Sequence, residues 1–409
     1  MKWLYLLVSI FVLSSLQAEA YTTVVTPNGK TLEYTMEDGV KVFHLVAEPV
    51  KRQFAPKMFV NCWGYNGQTP GPTIECVEGD TVRIFVTNKL PEPTTVHWHG
   101  ILLANGMDGV TGLTQAPISP NETCKYEFTL RQSGTHMYHS HFDEMTQIGL
   151  GMMGFFIIHP KNPAPEEKVD RDFCIMLHEW FIPIGASTPN PMVMQDFNYF
   201  TFNSTVWPGT DPLVVKKGQK VRIRLGNLSM DSHPIHLHGY EFTVTSHGAR
   251  RMKLSAQYEA VTINVPVGDT RDIEFTADIA GDWAFHCHKT HHIMNGMEHS
   301  IPNLIGAKVK DAEEKIQKLL PGYMAMGQTG MGEMFEMRDM PGPPNYLPLG
   351  TPGQFGTIQM GGMFTVLKVR EGITDYHDPG WYQNPPGTVA EIVAPFGPGH
   401  GLEREKSCT

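Results

Sequence analysis

An all-β chain built from one sandwich repeated twice is the fold class this sequence predicts, and three observations predict it. The first is a repeat: Glu78-Gly79-Asp80-Thr81-Val82-Arg83-Ile84 matches Lys217-Gly218-Gln219-Lys220-Val221-Arg222-Ile223 at an offset of 139. The offset continues without a gap, setting Asn88 on Asn227, His97 on His236, His99 on His238 and Gly100 on Gly239. The second is a later match, in which residues 134–141 fall on residues 281–288 at an offset of 147. The third is local composition. Segments 81–87, 220–224, 260–265 and 272–275 are rich in Val, Ile, Thr and Phe, with Gly, Pro, Asn and Asp close by on either side. That is the pattern of short strands that each bury one face in a Greek-key sandwich. Two related units of roughly 140 residues follow.

Taken in order, the chain starts with Lys2, an apolar run over 3–16 and Ala18-Glu19-Ala20. A basic start, a short apolar core and small residues at the end read as a cleaved secretory segment, residues 1–20. No later run reaches the ~18 apolar residues of a membrane span, so none is expected. The first sandwich is expected over 21–162, the second over 163–375, and a Pro/Gly-rich tail over 376–409. In the first, 152–158 reads as the closing strand. Its counterpart in the second is 362–369, far downstream, so residues 298–361 read as an insertion. The insertion holds one helix-like stretch, 308–320. A Met-rich segment follows, with Met324, Met326, Met331, Met334, Met337 and Met340 among Gly, Pro and acids. A net charge of −10 argues against nucleic acid as a partner. Apart from Cys287 there are Cys62, Cys76, Cys124, Cys174 and Cys408. That odd set yields no pairing from spacing alone.

Four histidine clusters carry the chemistry. They are His97-Trp98-His99, His139-Ser140-His141, His233-Pro234-Ile235-His236-Leu237-His238, and His286-Cys287-His288 followed by His292 and Met297. Neighbours on a strand point to opposite faces, so Cys287 can serve one metal while the histidines beside it serve others. Histidines two apart share a face and can approach one cluster together. A thiolate, imidazoles and a distant thioether suit a blue copper electron-transfer centre. Ten histidines, one cysteine and one methionine suffice for four copper ions. Opposite His233, Cys287, His292 and Met297 the first unit has Thr94, Ser140, Met145 and Leu150, so only the second unit carries the cysteine-ligated site. His178, next to Glu179, reads as structural, as do His44, His159, His247, His377 and His400. His291 and His299 flank the last motif without matching a ligand position.

On these motifs the chain resembles the multicopper oxidases over roughly residues 55–300. It looks most like the two-domain laccase-type subgroup with type 1 copper in domain 2. The resemblance implies two cupredoxin-like Greek-key β-sandwich domains, with the Met-rich insertion and an irregular C-terminal tail. It assigns His233, Cys287 and His292 to type 1 copper, with Met297 as the weak axial ligand. His97 and His236 would hold type 2 copper. His99, His139 and His288 would hold one type 3 ion, and His141, His238 and His286 the other. Asp108 matches an acid used in proton delivery; Ile293 stands where some members have a second carboxylate. Cys287, bonded in sequence to His286 and His288, would connect type 1 copper to the trinuclear cluster.

The implied reaction is one-electron oxidation of a small donor, Cu(I) or a phenol, coupled to four-electron reduction of O2 to water. The Met-rich segment, read as a soft-ligand surface rather than a flexible loop, favours Cu(I) and a role in copper tolerance. With only two domains, the cluster is expected between subunits of a closed homotrimer, in the periplasm or secreted. Two other readings are a copper nitrite reductase and a copper-storage protein. The first places its blue copper in domain 1, where this chain has Ser140; the second leaves the matched histidines without a purpose.

Overall fold

The computed structural model describes residues 21–296, 310–319, 321, 345, 347 and 350–391. The expected leader at 1–20, Met297, most of the Met-rich segment and the tail beyond 391 lie outside them.

The chain forms two β-sandwiches in succession. In the first, one sheet runs Tyr34–Glu37, Val40–Ala55, Thr81–Asn88, Thr123–Thr129, with Met58–Tyr65 paired to Val40–Ala55. The facing sheet runs Gly71–Val77, Met153–His159, Gly134–Ser140, Val96–His99. Strand Thr81–Asn88 alternates strictly: Val82, Ile84, Val86 and Asn88 point inward and are buried, and the residues between them are half-exposed. The inward set meets Trp98, Tyr126, Tyr138 and Phe156 in the core.

The second sandwich repeats the plan. One sheet is built on Arg171–Trp180, Lys220–Asn227, Thr270–Thr276 and Phe242–His247. The other runs Leu213–Lys216, Phe364–Arg370, Gly281–Cys287, His233–Leu237, Thr262–Val265. Phe364–Arg370 lies antiparallel to Gly281–Cys287, with Phe364 opposite His286. Met153–His159 lies on Gly134–Ser140 in the same way, with Met153 opposite His139. The closing strand of the second unit is thus the downstream segment that the repeat indicated. The N–H of Gly361 donates to Ile293 O (2.7 Å) and that of Met363 to His292 O (3.0 Å), so the chain returns from its excursion beside His292. Within the excursion, Lys310–Leu319 is helical. The described part of the tail, up to residue 391, has no strand and lies along the second sandwich, where the N–H of Tyr382 donates to Asp282 (2.7 Å).

The repeat breaks its own symmetry where the sandwiches meet. Lys220–Asn227 is buried on both faces, whereas its counterpart Thr81–Asn88 is buried on one. Arg83 pairs with Glu127 (2.7 Å) on a partly exposed face. The equivalent Arg222 pairs with buried Glu274 (2.8 Å) and Asp172 (3.1 Å). Next to it Arg224 grips Asp172 through two bonds of 2.8 Å and donates to Thr135 of the first sandwich (2.8 Å). A bidentate pair of this kind fixes geometry as well as charge. Around it, Met137, Phe155 and Ile157 of the first sandwich pack on Cys174, Met176 and Trp180 of the second. At Gly134 (φ +146°) a Cβ would lie 2.1 Å from Ala249 O, so only glycine allows this approach. The five described cysteines beside this interface and elsewhere are all unpaired. No described helix is long and apolar enough to cross a membrane.

Burial alone would raise the Glu274 carboxyl, but Arg251, Arg222 and Lys220 outweigh it and hold its pKa at about 2. A folded-state value below the unfolded one stabilises the protein above the ordinary carboxylate range, and the gain is lost as pH falls toward about 2. The shift corresponds to about 3 kcal/mol at neutral pH. Urea unfolding of wild type and Glu274→Gln should show a gap that narrows by about 2 kcal/mol between neutral and about pH 3.

Candidate metal centre

Strand register builds the centre. His233–Leu237 pairs with Gly281–Cys287 so that Ile235 faces Cys287 and His236 faces His286. Alternation then sends Cys287 into the sandwich and His286 to its outer face. Inside, Cys287 meets His233 from the neighbouring strand and His292 from the turn that follows, and all three are buried. Cys287 Sγ lies 3.8 Å from His233 Nδ1 and 3.6 Å from His292 Nδ1, and the two Nδ1 atoms are 3.1 Å apart. Ligands about 2.0–2.3 Å from a common ion, at angles of roughly 100–120°, make a triangle of this size. Burial lowers His233 to about 3 and His292 to about 2, so both imidazoles present neutral lone pairs. Burial also pushes the Cys287 thiol up to about 12. The site therefore keeps a thiol until a cation displaces its proton. One soft sulfur and two imidazoles in a dry pocket fit copper.

The surroundings lock the rings. The ring of His292 stacks on Phe200 (3.9 Å between centroids, 12°). His233 Nε2 is 2.9 Å from Ser229 Oγ and 3.5 Å from Glu179 Oε1. Glu179 Oε2 accepts from the N–H groups of Met230 (3.1 Å) and Asp231 (3.2 Å). Burial, with the Asp231 charge adding to it, raises the Glu179 carboxyl to about 7. Glu179, Asp231 and His292 together form a second group of converging ligand atoms. Sequence reasoning missed Glu179 and Asp231: neither stands in a motif, and only the fold brings them to the triad.

The first sandwich shows what fills this place without a metal. Thr94 Oγ donates to Gln147 Oε1 (2.7 Å) and lies 3.4 Å from Ser140 Oγ, which bonds to the same oxygen. Gln147 Nε2 donates to Glu92 (2.7 Å) and to the Pro93 carbonyl (2.8 Å). Thr94 and Ser140 thus stand opposite His233 and Cys287, as the repeat indicated. The third corner is Gln147 and not Met145. Both lie in helix Glu144–Gly149, where positions two apart face different ways, and Met145 points out to solvent.

Eight further histidines form two quartets of like shape. In the first, the His97 ring is 5.3 Å from His139 and 5.6 Å from His141; in the second, His236 is 5.7 Å from His286 and 5.6 Å from His288. His99 and His238 complete the two groups, 5.5 and 5.2 Å from His139 and His286. Backbone carbonyls set the tautomers. His97 Nδ1 donates to Asp108 O (2.7 Å), His139 to Ser140 O (2.8 Å), His236 to Val261 O (2.6 Å) and His286 to Cys287 O (2.8 Å). Each turns Nε2 toward its quartet as the ligand atom, the arrangement common around bound metals; His139 Nε2 lies 3.3 Å from His99 Nδ1 and His286 Nε2 3.0 Å from His238 Nε2. Burial holds His139 at about 3 and His286 at about 4. The carboxyl of Asp108 is 3.5 Å from His97 Nδ1. His141 Nε2 contacts Glu144 (3.0 Å). Among the described residues no ring of one quartet touches a ring of the other, and His238 and His288 are exposed.

The histidines read as structural are accounted for otherwise. His178 is buried and donates to Leu228 O (2.8 Å), His159 pairs with Glu75 (2.7 Å), His44 stacks on Phe85, and His247 meets Arg271 (3.0 Å). His291 is exposed, edge-on to Phe200. His299 and His400, like Met297, lie outside the described residues.

Replacing Gln147 by Leu strands two buried hydroxyls, which should cost about 2 kcal/mol in denaturant unfolding. Met145→Ala, on the exposed side of the same helix, should stay within about 0.5 kcal/mol of wild type.

Residues 47–163 and 183–305 each match a multicopper oxidase family profile. The chain is 29% identical, over 64% of its length, to a probable nitrite reductase-hydroxylamine oxidoreductase fusion protein of Kuenenia stuttgartiensis, covering 31% of that protein. It is 40% identical to copper resistance protein A of Escherichia coli over 34% of this chain and 22% of that one. It thus spans a third or less of these curated relatives. A blue copper oxidase from Nitrosomonas europaea superposes with a TM-score of 0.60 at 26% identity, over 80% of this chain and 85% of that one. With both sandwiches matched, this chain belongs to the multicopper oxidase family.

Proposed function

We propose that the chain is an exported oxidase that takes single electrons from a small donor and reduces O2 to water. The observation that carries this reading is the pairing of a buried Cys-His-His triad with an outer histidine quartet through one residue, Cys287. The assignment follows the family pattern: His233, Cys287 and His292, with Met297, hold type 1 copper. His97 and His236 hold type 2. His99, His139 and His288 hold one type 3 ion, and His141, His238 and His286 the other. Bound copper would supply the one-electron and four-electron redox chemistry. The protein's share is geometric. Two peptide bonds join the triad to His286 and His288, and backbone carbonyl contacts hold the tautomers of His97, His139, His236 and His286. Phe200 and the sandwich core exclude water from the triad, and Asp108 keeps a carboxyl against His97 from which a proton can be given.

Each chain offers two half-clusters on separate faces, so completion needs a second copy. A head-to-tail contact that joins the first quartet of one chain to the second quartet of the next closes as a ring. We infer a homotrimer with three clusters of three ions at its interfaces. Light scattering should show a trimer, and oxygen uptake should vanish as it dissociates; a stable, active monomer contradicts the assignment.

Two donor classes have support. Similarity to copper resistance protein A favours Cu(I), with a role in copper tolerance. A cavity of about 460 Å³ lined by Trp180, Phe181, Phe197 and Leu228, beside Glu179, fits a single-ring phenol. Nitrite reductase is not favoured, because the first sandwich has Thr94, Ser140 and Gln147 where that reading needs copper ligands.

The test is oxygen uptake by the copper-loaded protein with Cu(I) or a small phenol, with and without residues 321–340. Uptake driven by Cu(I) that falls on deletion, with phenol turnover kept, marks a cuprous oxidase; uptake unaffected by deletion marks a general laccase-type enzyme. Cys287→Ser should lose one of four coppers per chain and the blue absorption, and reduce uptake to background.

A further inference from the structure

Glu179 is a buried acid with no cation in contact among the described residues. Its side chain is 1% exposed, on strand Arg171–Trp180. One oxygen, Oε2, is held by the N–H groups of Met230 and Asp231. The other, Oε1, is buried without a hydrogen bond and lies 3.5 Å from His233 Nε2. The nearby Lys289 is engaged with Asp231 (3.3 Å), which is half exposed. A carboxyl withdrawn from water and left without a counter-ion is costly unless positive charge comes to it.

The repeat supplies an internal control. Strand Arg171–Trp180 pairs with Lys220–Asn227 as Val40–Ala55 pairs with Thr81–Asn88, with Leu177 opposite Asn227 and Ala47 opposite Asn88. On that register Glu179 corresponds to Pro49, and at the repeat offset Ser229 corresponds to Leu90. The sandwich whose triad is replaced by Thr94, Ser140 and Gln147 therefore also lacks both polar groups that face His233. The carboxyl and the metal triad occur together and are absent together.

We propose that Glu179 is the counter-charge of the metal in the Cys287 triad, a positioning residue that holds the His233 ring and favours the more highly charged metal state. A divalent ion with one thiolate leaves a net single positive charge in a dry pocket; ionised Glu179 balances it. A monovalent ion with the thiolate is already neutral, and the same carboxylate then opposes it. The energy of such a charge is far larger in a buried site than at the surface. Glu179 should thus hold the reduction potential of the site down, whereas half-exposed Asp231 should have little influence.

This rests on the assignment of the triad as a metal site, and the experiment separates the two. In the copper-loaded protein, redox titration followed at the thiolate-to-copper absorption gives the potential, and cobalt(II) titration of the copper-free protein gives the affinity of the triad for a redox-inert dication. Glu179→Gln should raise the potential by at least about 59 mV, a tenfold change in the ratio of the two copper affinities. It should also weaken cobalt(II) by about tenfold or more, while Asp231→Asn changes each by less than about twofold. Equal potentials in wild type and Glu179→Gln overturn the proposal, as does an equal shift in Asp231→Asn. If Glu179→Gln does not fold, Glu179→Asp, which withdraws the charge by one methylene, should move both quantities in the same direction by a smaller amount. A wild type without any thiolate-to-metal absorption removes the triad assignment itself.

Discussion

The pleat of a single strand is the constraint on which the rest of this molecule depends. In Gly281–Cys287, successive side chains must point to opposite faces, so Cys287 enters the sandwich core while His286 leaves it. One backbone therefore serves two environments: a dry interior that keeps imidazoles neutral and a thiol protonated, and an outer face where four rings gather. A slip of one residue would exchange them and leave neither set complete. The neighbouring strand obeys the same rule, with His233 directed inward to the triad and His236 outward to the quartet.

The frame occurs twice, and only one copy of the interior carries the Cys-His-His triad. Where the second sandwich has a triad, the first has a hydroxyl–hydroxyl–amide cluster that satisfies its buried polar groups by itself. The difference extends outward, to Pro49 and Leu90 in place of Glu179 and Ser229. The outer quartet, in contrast, is present in both, with the first histidine at similar ring spacings from the last two (5.3 and 5.6 Å against 5.7 and 5.6 Å) and the same contact from His139 and His286 to the following carbonyl, although His97–His99 (5.8 Å) is wider than His236–His238 (4.7 Å). The proposed cluster, made of one half from each sandwich, would need both quartets, whereas the interior site needs its ligands in one sandwich only.

The interface between sandwiches is polar at its centre. Arg224, Asp172, Asp272 and Thr135 form a buried network that crosses from one sandwich to the other, with Met and Phe side chains around it. Apolar contact alone could slide; directional pairs set the angle between the two units. That angle leaves the quartets apart in one chain, and it also creates the apolar cavity that extends from Glu179 to His99 and His139.

Much of this was legible in the sequence, because strand chemistry is local. Alternating Val and Ile, the repeat offset and the His-x-His spacing determined two sandwiches, the strands that carry His97, His99, His139, His233, His236 and His286, and the unit that keeps the cysteine site. They also located the closing strand 364–370 across a long insertion. The third corner of the vacant interior site was not legible: an offset assigned Met145, but a short helix turns Gln147 inward instead. Glu179 and Asp231 were equally invisible, since no motif spacing marks a residue whose role comes from a strand on the far side of the core. Nor could composition distinguish Arg83 from Arg222, identical in local context, one partly exposed and one buried under the other sandwich. The sequence by itself determined which atoms could bind metal. The tertiary structure decided which of them are dry, which share a pocket and which stand apart, because burial and proximity depend on how distant strands pack.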